Sequence, residues 1–178
     1  MIILGLDIST SITGATVINE EGEILYCEAW DTRNKRKFPS LFHKADFIKE
    51  KLVSLSQNYD ISKVYVEESL QTFRSGFSSA RTLSILSKIN GIVSYLVFEI
   101  FQMQPKFVSV LSARKSCGIK VPRGQKAKEV VLKFILDNNP DFVVSYTKRS
   151  NPVAGTYDRA DSLIIARSGL EIWKQLQS

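Results

Sequence analysis

The chain has 178 residues, 44% of them hydrophobic and 24% charged, with a formal net charge of +6. That composition excludes a disordered or fibrous polypeptide and fits one domain, residues 1–178, with a sizeable core. Two cysteines, Cys27 and Cys117, give neither a disulfide framework nor a metal-ligand spacing, so buried thiols are expected. No apolar run of the ~18 residues that suggest a membrane span is evident. The opening MIILGLDIST lacks the basic start of a secretory signal. The expectation is a soluble cytoplasmic protein without a membrane partner.

Residues 1–8 are apolar and β-prone, and residues 14–19 and 24–30 follow after the polar turns STSIT and NEEGE. Three short runs with tight connections predict an antiparallel meander. Residues 39–58 carry Leu41, Phe42, Ala45, Ile48, Leu52 and Leu55 at helical spacing. A fourth strand is predicted at 63–67, then a polar loop over 69–76 and a long helix over about 77–101. A fifth strand at 106–110 leads into LSARKSCG, a helical turn. Residues 124–137 place Val130, Val131, Phe134 and Ile135 on one helical side. Residues 138–156 are largely loop, and the last helix covers about 158–175. The order βββαβαβαα implies an α/β fold, a mixed sheet flanked by helices.

The last helix poses a problem. YDRADSLIIA puts Asp158 and Asp161 directly before core-like residues, where an unneutralised carboxylate is costly. Asp7 closes a strand with the profile of one buried on both faces, and Glu67 closes the Val64–Tyr65–Val66 run. Each acid has an ordinary reading. Asp7 serves as a turn or capping residue, Glu67 as a surface acid, Asp158 as an N-cap and Asp161 as a first-turn acid. Taken together, two strand ends and one helix face can meet in space. Such a cluster repels itself unless divalent cations with a taste for oxygen ligands sit within it. Two Mg²⁺ ions roughly 4 Å apart would suit phosphodiester hydrolysis.

The basic residues also cluster. One run is Arg33 to Lys37; another comprises Arg114, Lys115, Lys120, Arg123, Lys126 and Lys128, with no acid until Glu129. Solvated loops explain either run alone, whereas both beside an acidic constellation suggest a polyanionic partner such as nucleic acid.

ILGLDISTSITGATVI, VYVEES and DRADSLIIA, in that order, resemble the RuvC-type Holliday-junction resolvases of the ribonuclease H-like superfamily. The resemblance covers nearly the whole chain and implies a ribonuclease H-like fold with a mixed five-stranded sheet. It also implies a homodimer that nicks two opposing strands of a four-way DNA junction, using Mg²⁺, with Mn²⁺ as a substitute, two ions per site. By position, Asp7, Glu67, Asp158 and Asp161 match the family's catalytic and metal-binding acids, with Glu68 an alternative to Glu67. Lys126 falls where the family has a DNA-contacting lysine, and Lys128 and Arg123 are its neighbours. Lys120, Arg114 and Lys115 extend that basic surface, and Phe73 and Arg74 in the polar loop are further DNA-binding candidates. Two positions depart from the family pattern. Ile8-Ser9 replaces a Pro-Gly after the first aspartate, and Leu70 stands where an aromatic is familiar. The brief, divergent form suggests a phage or viral member, acting in the bacterial cytoplasm or a host cell.

Three other readings compete. An actin-like or sugar-kinase ATPase begins with a similar hairpin, but the chain is too short for duplicated nucleotide-clamping domains. A ribonuclease H-like nuclease acting on flaps, forks or RNA–DNA hybrids would use the same acids. An inactive junction-binding scaffold would not need all of them. His43, the only histidine, is read as structural or surface rather than as a general base.

Overall fold

The computed structural model describes residues 1–68 and 80–177. A five-stranded sheet of order β3-β2-β1-β4-β5 is built from β1 (Ile3–Asp7), β2 (Ile12–Ile18), β3 (Ile24–Asp31), β4 (Lys63–Glu67) and β5 (Lys106–Val108). The first three strands form the expected antiparallel meander, and β4 and β5 add in parallel. The helices are α1 (Leu41–Asn58), α2 (Ala80–Phe101), α3 (Val110–Ser116), α4 (Ala127–Asn138) and α5 (Thr156–Gln177).

Strand alternation divides the core into two. Leu4, Leu6, Val64 and Val66 point to one face, where they pack with Ile48 and Leu52 of α1 and Ile89, Val93 and Val97 of α2. Ile3, Tyr65 and Val108 point to the other, against Val131 and Ile135 of α4 and Leu163, Ile164 and Ala166 of α5. By the same period of two, Asp7 and Glu67 belong to the α5 face. The fold therefore aims both strand-end acids at the final helix.

That helix lies unusually close to the sheet. A Cβ on Gly14 would stand 1.9 Å from the Asp158 carbonyl oxygen, and one on Gly5 2.4 Å from the Ser162 carbonyl oxygen. Farther along, Gly169 of α5 meets the Tyr65 ring, 2.3 Å from where its Cβ would sit. Side chains at Gly5 and Gly14 would lift α5 away, so glycine inside these strands marks a backbone approach. Thr16 and Ser162, both buried, share a hydrogen bond of 2.8 Å across this seam.

Several boundaries differ from the sequence reading. The helical turn after β5 is a helix, α3, capped by Ser109, whose hydroxyl accepts from the Ser112 amide. α4 starts at Ala127 rather than 124, because Gly124 adopts a left-handed φ of 84° and Lys126 is the N-cap residue. α5 starts at Thr156, after left-handed Gly155, so Asp158 sits within the first turn and is not the N-cap. Asp161, read from the sequence as a first-turn acid, lies beyond that turn. α2 is long and apolar enough to cross a membrane by length and composition, which the sequence reading did not anticipate. One face of it is nonetheless core, and its Glu99 pairs with Lys49 of α1 at 3.2 Å. The candidates Phe73 and Arg74, and with them Leu70 and Phe77, lie outside the described residues.

The close seat of α5 predicts that Gly5→Ala destabilises the protein by about 3 kcal/mol, the upper end of ordinary overpacking, because backbone rather than a flexible side chain obstructs the new methyl. Urea unfolding measures this; a loss below about 1 kcal/mol would show that α5 can withdraw without consequence.

Candidate active site

β1 and β4 run parallel and in register, Leu6 opposite Val66, so their last residues, Asp7 and Glu67, finish side by side. Asp7 is also the antiparallel partner of Gly14, the residue on which the Asp158 backbone rests. One turn on, Asp161 lines a small cavity together with Glu67, Arg114 and Ile165. Strand register and the glycine seat thus bring together the four acids singled out from the sequence. Glu68, the alternative to Glu67, is exposed, and its amide donates to the Val108 carbonyl.

Their electrostatics confirm the crowding. Burial, then the charges of Glu67, Asp161 and Asp158, raise the Asp7 pKa well above the ordinary carboxylate range. Burial likewise raises Glu67, Asp158 and Asp161. Side-chain hydrogen bonding between Asp7 and Glu67 adds to the rise at Asp7 and lowers Glu67. Lys128 opposes the rise at Glu67, Asp158 and Asp161, and Arg114 opposes it at Glu67 and Asp161. Arg33, from the first basic run, acts on Asp158 while pairing with Asp31 at 2.6 Å. The start of α5 adds favourable dipole charge near Asp158.

Among the described residues, no group of three is already spaced as a closed metal cage. The donor set is all oxygen, as hard divalent cations require. Residues that resist ionisation in each other's presence fit such an ion.

The basic candidates divide into two groups. Lys128 and Arg114 border the acids. Lys126 is exposed and paired with Glu129 at 3.0 Å, so α4 turns Lys128, and not Lys126, toward the cluster. Lys115, Lys120 and Arg123 are exposed on the surface around α3 and the start of α4. His43 is exposed at the start of α1, its Nδ1 2.7 Å from Ser40 Oγ. Both cysteines are free and half-buried. Sequence reasoning missed the seats at Gly5 and Gly14 and the electrostatic part of Arg33; glycine inside an apolar strand was the available signal.

The backbone is similar to three solved structures. RuvC of Thermus thermophilus in complex with a Holliday junction substrate superposes with a TM-score of 0.71 at 17% identity, covering 98% of this chain and 96% of that one. A second Thermus thermophilus RuvC structure gives 0.67 at 18% identity, with 98% and 96% covered. The yeast mitochondrial Holliday junction resolvase Ydc2 gives 0.62 at 17% identity, with 98% and 80% covered. No protein-family model and no curated protein sequence matches the chain. The fold is therefore the one found in these RuvC and Ydc2 structures, a mixed five-stranded sheet flanked by helices, as the sequence reading expected.

The raised Asp7 pKa has a definite sign in stability. A carboxyl group raised on folding contributes fully below its unfolded value, near 3.8, and its contribution is lost as pH rises through the folded value. In EDTA, Asp7→Asn should therefore melt several degrees above the unsubstituted protein at pH 7.5, with the gain vanishing toward pH 4. Thermal unfolding across that range checks it; a lower melting temperature at pH 7.5 would mean the cluster is not strained.

Proposed function

We propose that this protein is a Mg²⁺-dependent endonuclease that resolves four-way DNA junctions by paired nicks. The observation that carries the proposal is the convergence of Asp7, Glu67, Asp158 and Asp161 at one end of the sheet, with Lys128 and Arg114 beside them. The branched substrate is supported by the fold shared with RuvC bound to a Holliday junction and with the yeast resolvase.

Asp7, Glu67, Asp158 and Asp161 would hold the divalent ions, two per site in this reading. When bound, Mg²⁺ supplies Lewis acidity for phosphodiester hydrolysis. The protein's own groups then have separate tasks. Asp7 and Glu67 would be ionised with the cation bound, so that both act as anionic ligands from the two strand ends. Lys128 and Arg114 attract the phosphate and keep the acids from expelling it. The exposed lysines and arginines around α3 and α4 follow the backbone of the strand without reading sequence.

Paired nicks require two sites related by a two-fold axis, and a self-complementary surface is the simplest way to supply them. α2 offers one. Tyr95 is 62% and Phe98 46% exposed, and Gly91 on the same helix has open space where a Cβ would stand. We assign the dimer interface to this face.

Synthetic four-way junctions should be cut into nicked linear duplexes with Mg²⁺ or Mn²⁺ and left intact in EDTA. Asp7→Asn, Glu67→Gln and Asp161→Asn should each reduce cutting to background while junction binding persists. Lys126→Ala with Lys128→Ala should instead weaken binding and reduce its salt slope by about two phosphate contacts. Equal cutting of junctions and unbranched duplexes would remove the resolvase assignment and leave a broader nuclease.

A further inference from the structure

A groove of ≈ 420 Å³ opens between α3 and the start of α4, beside the acid cluster but separate from it. Its surface is apolar, contributed by Leu111, Gly118, Ile119, Val121 and Ala127. Leu111 is 75% and Val121 37% exposed, while Ile119 is buried as the floor. Gly118, at a left-handed φ of 73°, has no atom within 4 Å of where its Cβ would stand, so the wall stays open.

The charge around this groove is one-sided. Arg114, Lys115 and Lys120 line it, and among the described residues no carboxylate does. Arg114 belongs to both sites, because it also lines the small cavity with Glu67 and Asp161. Its Nε is buried with no hydrogen-bond partner, an orphan donor of the kind that a ligand oxygen satisfies. An apolar slot with a cationic rim matches a nucleotide, whose base presents flat apolar faces and whose phosphate is anionic. The volume lies within the range of small-ligand sites, ~300–1,000 Å³.

Resting on the nuclease reading above, we propose that this groove receives one unpaired nucleobase of the strand being cut, with the phosphate of that nucleotide on Arg114. The arrangement fixes the strand on one side of the acids: the base enters beside α3, its phosphate meets Arg114, and the neighbouring phosphate reaches Asp161 and Glu67. Branched DNA supplies unpaired or weakly stacked bases at the crossover at little cost, whereas an intact duplex must be opened. The groove would thus select for branch points as well as hold the strand.

The test is a thermodynamic cycle in EDTA. Binding is measured to four-way junctions carrying a single abasic nucleotide, scanned through the positions flanking the crossover, for the unsubstituted protein and for Val121→Trp, which fills the groove. The expected result is one position where losing the base weakens binding about 10-fold, and less than 2-fold in Val121→Trp. Leu111→Ser, at a solvent-facing position that the fold does not need, should reduce the same penalty to about 3-fold and serves if Val121→Trp fails to fold. A flat abasic scan, or a penalty unchanged in both variants, overturns the inference while Mg²⁺-dependent junction cutting would leave the nuclease reading intact. A change of sedimentation in Val121→Trp without DNA would make the groove a contact between copies of this chain, and also overturns it. If the unsubstituted protein neither binds nor cuts junctions, both readings fall together.

Discussion

The backbone of α5 lying directly on β1 and β2 is the constraint from which the rest of the site follows. Gly5 and Gly14 allow it, since any side chain there would meet the helix backbone. The contact brings Asp158 above the partner of Asp7 and leaves Asp161 facing Glu67 across a small cavity. Parallel pairing of β1 with β4 supplies the other half by ending both strands together. Neither contact makes a site alone. The strand ends provide two acids on one face, and the helix closes over them with two more.

Packing this close assembles carboxylates that repel one another. Burial raises all four, and the cationic groups nearby offset the rise only in part. The compromise falls hardest on Asp7, whose pKa is held well above the ordinary carboxylate range. Perturbed carboxylates gathered at strand ends, above a well-packed two-sided core, mark a candidate functional site. The core gives nothing up for it. Leu4, Leu6, Val64 and Val66 face away from the acids into the layer formed with α1 and α2.

The sequence carried the acids clearly because strand ends and an i, i+3 helix pair are local patterns. The antiparallel meander and the mixed sheet appear as expected, whereas the face that Asp7 and Glu67 share became plain only from the strand register. The start of α5 was misplaced by two residues even though Gly155-Thr156 signalled it: Gly155 takes the left-handed turn and Thr156 Oγ1 donates to the Val153 carbonyl. That error misassigned Asp158 as a cap. The choice between Lys126 and Lys128 depended on where α4 begins, and a one-residue shift rotates a helical side chain by ~100°. The seats at Gly5 and Gly14 were legible as glycines in strands but not as contacts with a helix more than a hundred residues away. Non-local packing of that sort leaves no pattern in a short window.

Diffraction from crystals grown with Mn²⁺, recorded for its anomalous signal, tests the central claim most directly. An anomalous peak enclosed by Asp7, Glu67, Asp158 and Asp161 is the predicted result. If no peak lies among these residues at saturating Mn²⁺, the acids are a buried carboxyl cluster and not a metal centre.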